Sequence, residues 1–392
     1  MSGFASDEGF ERRPLTLRFA DPTSNTEAYG FTGSVGMTLL EGQLLRPRDT
    51  PANTVYVFMH PASSLWQLPM PIAMANAGLH VMCCGSRYLK NDTALIMEKV
   101  LVDLGAYIRL ARETLGYTKV VLVGWSGGGS LSLFYQEQAL NPTIVATPAG
   151  DPVDIAAAQL IPADAIVFVA AHMSRARILS EWLDPSVHDE TRPENRVTEL
   201  DLYSPDNPNR PPYEPSYIAA FRTAQVARMH RITAWVRSEL ERLRLKGGAE
   251  LERAFVVHRT LADPRFLDPT LEPSERRPNW CFLGNPETVN VGPNGLARFS
   301  SLRSWLSQWS LEDSVADGPT SASRVSTPLL VIENGADDAV PPSHPRTLFE
   351  SSISKDKTRI TIPRATHFYQ SQPDELTAAL DALNAWRWER NL

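Results

Sequence analysis

The chain has 392 residues, 43% of them hydrophobic and 21% charged, with a formal net charge of −7. This is ordinary globular composition at a length above the usual single domain, so one large domain with an insertion, or two domains, is expected. The negative balance argues against non-specific nucleic-acid binding, which needs clustered Lys and Arg to neutralise phosphates. Met1 to Arg13 carries Asp7, Glu8 and Glu11 and no apolar core, so no secretory leader is read there, and no run of about 18 apolar residues offers a membrane span. Cys83 and Cys84 are adjacent and Cys281 is alone. Neighbouring cysteines bridge only with strain, so the three thiols read as reduced and a cytoplasmic protein is expected. No His or Cys spacing suggests a metal site.

In chain order, residues 1–30 are polar and turn-rich and read as a loosely packed lead-in. Val35 to Leu45 reads as extended chain ending at Arg46-Pro47. Val55 to Met59, bounded by Pro51 and His60-Pro61, is an apolar run that predicts a buried strand. A helix is expected within 66–77, confined to its second half by Pro69 and Pro71. His80 to Cys84 predicts another strand. Met97, Val100, Leu101, Leu104, Ile108, Ala111 and Leu115 recur at helical spacing, and Gly116 ends that helix. Lys119 to Val123 then runs as a strand into Gly124-Trp125-Ser126-Gly127-Gly128, and Ser130 to Leu140 continues as helix. A serine on so sharp a strand-to-helix turn is held out of the backbone, and only small neighbours allow the bend. The pattern is that of a nucleophile elbow.

Ala165 to Ala171 predicts the next strand, after which the pattern changes. Residues 172–325 hold fourteen prolines and five of the nine tryptophans. A long helix is expected over 216–246, with Ile218, Phe221, Met229, Ile232, Val236, Leu240 and Leu243 on one side and Gly247-Gly248 as its stop. Strand–helix alternation resumes with a strand over 328–333, a helix over 343–351, a strand over 358–362 and a closing helix over 373–388. Short apolar strands alternating with helices predict an α/β fold, a mostly parallel sheet covered on both faces.

A serine hydroxyl needs a histidine to take its proton and a carboxylate to orient that imidazole. In such sheets these groups should follow strands directly. Asp337 and Asp338 follow the strand 328–333 in Asn334-Gly335-Ala336-Asp337-Asp338-Ala339-Val340-Pro341, and His367 follows the strand 358–362. The order Ser, Asp, His is the one this architecture uses.

On these residues the chain resembles the α/β-hydrolase-fold serine hydrolases, esterase-like and with a large insertion. The resemblance covers residues 1–171 and 326–392 as core, and it implies that 172–325 form a mainly helical cap. In that family the acid often lies in a loop like Asp-Asp-x-Val-Pro, with the first carboxylate catalytic. Matching by position implies Ser126 as nucleophile, Asp337 as acid, with Asp338 as its rival, and His367 as base. An oxyanion needs two preorganised N–H donors. Gly127, after the nucleophile, is the first. The second should follow the strand 55–59, where related enzymes carry His-Gly; here Pro61 has no N–H, so Ala62 is the expected donor, with Ser63 as the alternative.

His60, Trp125 and His172 are candidates for lining the pocket. His344 reads as a surface helix residue, and nothing marks His188, His230 or His258 as catalytic. The tryptophans Trp182, Trp235, Trp280, Trp305 and Trp309 supply either pocket wall or the core of the cap. Arg222, Arg228, Arg231, Arg237, Arg242 and Arg244 read as a solvated face of the long helix. The expected function is hydrolysis of a small, partly apolar carboxylic ester through an acyl-enzyme, without a cofactor. Thioester, amide or carbon–carbon hydrolysis and acyl transfer would use the same triad, and a non-catalytic ligand-binding member of the fold is the alternative of another class.

Overall fold

The computed structural model describes residues 9–20, 37–48 and 50–392. These begin with an antiparallel pair, β1 (Phe10–Ala20) and β2 (Met37–Pro47). The loose lead-in expected over 1–30 is therefore a strand from Phe10 to Ala20. Leu15, Leu17 and Phe19 alternate with polar residues and pack on the core, and Pro14 is tolerated because β1 is the sheet's edge. The rest of that lead-in, and Val35 and Gly36, lie outside the described residues.

β3 (Thr54–Met59), α1 (Pro69–Asn76) and β4 (His80–Cys84) follow. Pro69 opens α1 rather than delaying it, because the first turn of a helix has no use for a proline's missing N–H. α2 (Met97–Arg109) runs on through a π turn to Thr114 and ends at Gly116, whose φ is 77°. β5 (Lys119–Trp125), α3 (Gly128–Leu140) and β6 (Ala165–Val169) complete the first half of the sheet.

Between β6 and the next sheet strand the chain builds α4 (Arg175–Trp182), the 32-residue α5 (Pro215–Lys246), β7 (Ala254–Val256), α6 (Pro286–Val291) and β8 (Phe299–Ser301). α7 (Leu302–Ser304), prolonged by a π turn to Trp309, and α8 (Gly318–Ala322) finish this stretch. The expected apolar side of α5 is buried from Phe221 to Leu243 and packs with Leu302, Trp305 and Trp309. β7 and β8 pair with each other, antiparallel, as a separate two-stranded sheet that the sequence did not announce. β9 (Leu329–Asn334), α9 (Ser343–Ser351), β10 (Lys357–Ile362) and α10 (Pro373–Trp388) close the chain.

The main sheet has eight strands in the order β1-β2-β4-β3-β5-β6-β9-β10. Six are parallel, and β2 joins them antiparallel through β4. Side chains alternate between two cores. Val55, Val57, Leu122, Phe168 and Val331 face α2 and α3. Tyr56, Phe58, Val123, Val169 and Ile332 face α1 and α10. Burial on both faces is why these strands read as unbroken apolar runs. Among the described residues no helix is long and apolar enough to cross a membrane, and the three cysteines are buried and free.

Candidate active site

The turn from β5 into α3 holds Ser126 at φ 53°, the left-handed region that costs a non-glycine residue about 1 kcal/mol or more. Its neighbours hold it there. Ser126 N–H donates to Ala170 O at 3.2 Å, and Ser126 O accepts from Gly129 N–H at 3.1 Å and His172 N–H at 3.3 Å. A Cβ on Gly124 would stand 2.6 Å from Gly128 O, and one on Gly128 only 2.5 Å from Met59 O. The glycines at these two positions let α3 start against the ends of β5 and β3.

After β9 the chain presents Asp337. Its Oδ1 accepts from the N–H groups of Ala339 and Val340, both at 2.8 Å. His367 Nδ1 lies 3.1 and 3.2 Å from the two carboxylate oxygens, and both residues are buried. An ionised carboxylate only accepts, so Nδ1 carries the proton and Nε2 keeps the lone pair. Asp338 meets the same histidine only through the backbone, accepting from His367 N–H at 3.3 Å. Burial first, and then the charge of Asp337, raise the pKa of Asp338. Trp125 Nε1–H donates to His367 O at 3.1 Å, and the indole lies 4.7 Å from the imidazole, centre to centre.

Ser126 and His367 line one cavity of about 220 Å³. The structure draws Asp337 to His367 and sets Ser126 on the same wall, without a hydrogen bond from Ser126 Oγ to the ring. His60, Trp125 and His172 all line this cavity, with Ile178 and Trp182 from α4 and Phe282, Leu296 and Trp309 from later in the insertion. Among the described residues that line it, Arg175 is the one Lys, Arg, Asp or Glu. The guanidinium lies 4.2 Å from the Trp309 ring centre and ion-pairs with Asp92.

His60 Nδ1 accepts from the N–H groups of Ala62 at 3.1 Å and Ser63 at 2.9 Å. Ala62 N–H, the expected second oxyanion donor, is thus engaged within its own loop. Gly127, the N-cap of α3, finds no acceptor for its N–H among the described residues. Burial, then Arg175, then His367 hold the His60 pKa well below the usual histidine range. Burial, then His344 and Arg175, do the same for His172.

Several expectations from sequence are corrected. His344 is not at the surface: it is buried, with Nε2 2.9 Å from Glu181 Oε2 and Nδ1 accepting from Met173 N–H at 3.3 Å. Of the α5 arginines, Arg231, Arg237, Arg242 and Arg244 are exposed, as a solvated face requires, whereas Arg222 is half-buried and Arg228 leaves that face for the interior. Arg222, Arg228, Arg237, Arg242 and Arg244 each meet a carboxylate within 3.0 Å, Arg228 is buried, and none lines the Ser126 cavity. The tryptophans divide: Trp182 and Trp309 line the cavity, Trp305 is buried against α5, and Trp235 and Trp280 are exposed. A larger cavity, about 480 Å³, lies between His188, Arg231, Trp235, Phe255 and His258, with none of Ser126, Asp337 and His367 in its wall. Sequence reasoning missed Arg175 and Phe282. For Arg175 a signal existed: Ser174, just past β6, caps α4 by accepting from Arg177 N–H, which aims the helix start at the strand ends.

No family model matches the chain, and no curated protein sequence matches it. Among solved structures it is similar to DcsB in complex with its substrate analogue, at 12% identity, covering 96% of this chain and 99% of that one, with a TM-score of 0.50. It is also similar to the alpha/beta hydrolase GrgF from Penicillium sp. sh18, at 10% identity, 96% and 98% coverage and a TM-score of 0.48. The esterase domain of a Rhodothermus marinus protein aligns at 13% identity, 96% and 98% coverage and a TM-score of 0.43.

Proposed function

We propose that this chain, an α/β-hydrolase by fold, is a serine hydrolase cleaving a small carboxylic ester through an acyl-enzyme on Ser126. The observation that carries the reading is the Asp337–His367 contact, fixed by two backbone N–H groups, beside a serine at positive φ in one cavity. Nothing but a reaction has need of all three together, which sets the binding-protein alternative behind.

His367 Nε2 takes the Ser126 proton as Oγ bonds to the acyl carbon and the carbonyl electron pair moves onto oxygen. Collapse expels the alcohol, which receives that proton. Water then repeats the sequence on the acyl-enzyme, with His367 as base again. Asp337 keeps the proton on Nδ1 and stabilises the imidazolium. Only protons and an acyl group move, so the reaction calls for no cofactor. Residues 172–325 act as the cap: they bring Trp182, Phe282 and Trp309 over Ser126, and the apolar wall and small volume favour a compact, partly apolar substrate. The free, buried thiols fit a reducing, cytoplasmic setting.

Labelling by a fluorophosphonate, compared between wild type and Ser126→Ala, tests the reading, together with turnover of short, long and aromatic esters. Labelling and turnover of short esters by wild type alone is the expected result. Folded wild type that neither labels nor turns over any ester sinks it.

A further inference from the structure

We infer that the side chain of His60, through Nε2–H, is the second oxyanion donor, in place of the backbone N–H that this fold ordinarily supplies from the same loop. The inference rests on the serine-hydrolase reading and assigns a reacting contact within it.

Three observations meet here. First, the backbone donors nearest β3 are engaged. Pro61 lacks an N–H, and those of Ala62 and Ser63 both donate to His60 Nδ1. Second, those two bonds settle the tautomer. An Nδ1 that accepts twice carries no proton, so the neutral ring holds its proton on Nε2. Burial and the nearby Arg175 guanidinium keep the ring neutral. Third, Nε2 is aimed at the right place. It lies 2.9 Å from the point where a Cβ on Gly127 would stand, and His60 lines the cavity with Ser126. With Gly127 N–H as the other donor, a carbonyl oxygen held there shares the cavity with the His60 ring, and of the two imidazoles beside Gly127 the Nε2 of His60 stands nearer than that of His172, which is 3.3 Å from the same point. The same contact explains why position 127 is glycine: any side chain would strike Nε2. The loop has exchanged a main-chain donor for a side-chain one, using the Ala62 and Ser63 N–H groups to hold that side chain still.

The test is His60→Asn. Asn can place Oδ1 near the present Nδ1, keeping the acceptor for Ala62 and Ser63, and it has no group that reaches as far as Nε2. On the ester that wild type cleaves best, kcat is expected to fall on the order of 100- to 1000-fold with KM changed only a few-fold. A trifluoromethyl ketone adds Ser126 Oγ to its carbonyl and leaves the oxygen anionic, so its affinity is expected to fall in parallel with kcat/KM. His60→Gln, whose amide reaches further, should recover part of the loss. A His60→Asn protein that keeps kcat within threefold, or that loses only KM or thermal stability, overturns the inference. Should that variant not fold, nitrogen-15 histidine spectra of wild type decide: adduct formation must move the His60 Nε2–H resonance downfield, and an unmoved resonance overturns it. An active wild type with an indifferent His60→Asn overturns this inference alone; a wild type without labelling or turnover takes the hydrolase reading down with it.

Discussion

Ser126 combines two demands that oppose each other. Its φ of 53° exposes Oγ and is a conformation that glycine adopts without strain. Ser126→Gly is therefore expected to gain about 1 kcal/mol in urea unfolding and to lose all turnover. Asp337→Asn should lower kcat by about four orders of magnitude, since the amide can favour the wrong tautomer of His367. Asp338→Asn should cost far less, because Asp338 meets only the backbone N–H of that histidine. Equal losses would shift the acid to Asp338. At this scale the sequence was readable where chain order and strand ends constrain a residue, as at Ser126, Asp337 and His367. It was opaque where one side chain answers another's backbone. Pro61 showed that an N–H was missing, but the fact that His60 Nδ1 takes the next two exists only in three dimensions.

Among the elements, α2 offers the sharpest test. Glu98 in its first turn is fully buried, accepts from Ser307 Oγ at 2.7 Å, and has its pKa raised to about 7 by burial. A carboxyl whose folded pKa exceeds its unfolded one stays protonated in the fold, so stability falls as pH rises from about 4.5 to 7 and is level above. Glu98→Gln removes that dependence. The variant should gain on wild type by on the order of 3 kcal/mol between pH 5 and pH 8, read by denaturant unfolding at both. A pH-independent difference would mean that the carboxyl is not buried as described. The long helices and central strands were legible because their periods are clean. β1 was not, because Arg12, Arg13, Pro14 and Arg18 hide a strand whose only signal is Leu15, Leu17 and Phe19 in alternation. The prolines at the start of α1 misled for the opposite reason, since position in the first turn turns a breaker into an initiator.

For the whole molecule, the seam between insertion and sheet decides how the cavity is enclosed. On one side it runs through Asp92 and Glu98. Arg175 pairs with Asp92, whose carbonyl also accepts from Gln308 Nε2 at 2.8 Å. On the other side, Phe282 N–H donates to Asp338 O and Glu275 N–H to Gly335 O, both at 2.9 Å. Asp92→Ala leaves the Arg175 guanidinium buried and without its counter-charge. That should cost about 3 kcal/mol in unfolding experiments, less if water reaches the arginine; no loss would mean that the insertion is held by packing alone. The change in proline density was the sequence's sign of an insertion over 172–325. It could not mark this seam, whose bonds join residues up to 216 positions apart.

The turn at Ser126 also bears on how such a chain would change under selection. Glycine at 126 would be favoured wherever folding alone is rewarded, and it lies a single codon step from two of the six serine codons. A library sorted for heat tolerance, or a lineage released from selection on Ser126, would be expected to discard this serine early while leaving Asp337 and His367 in place. A relative with Asp and His intact beside a Gly-Trp-Gly-Gly-Gly turn would then be the record of a lost reaction rather than a different one.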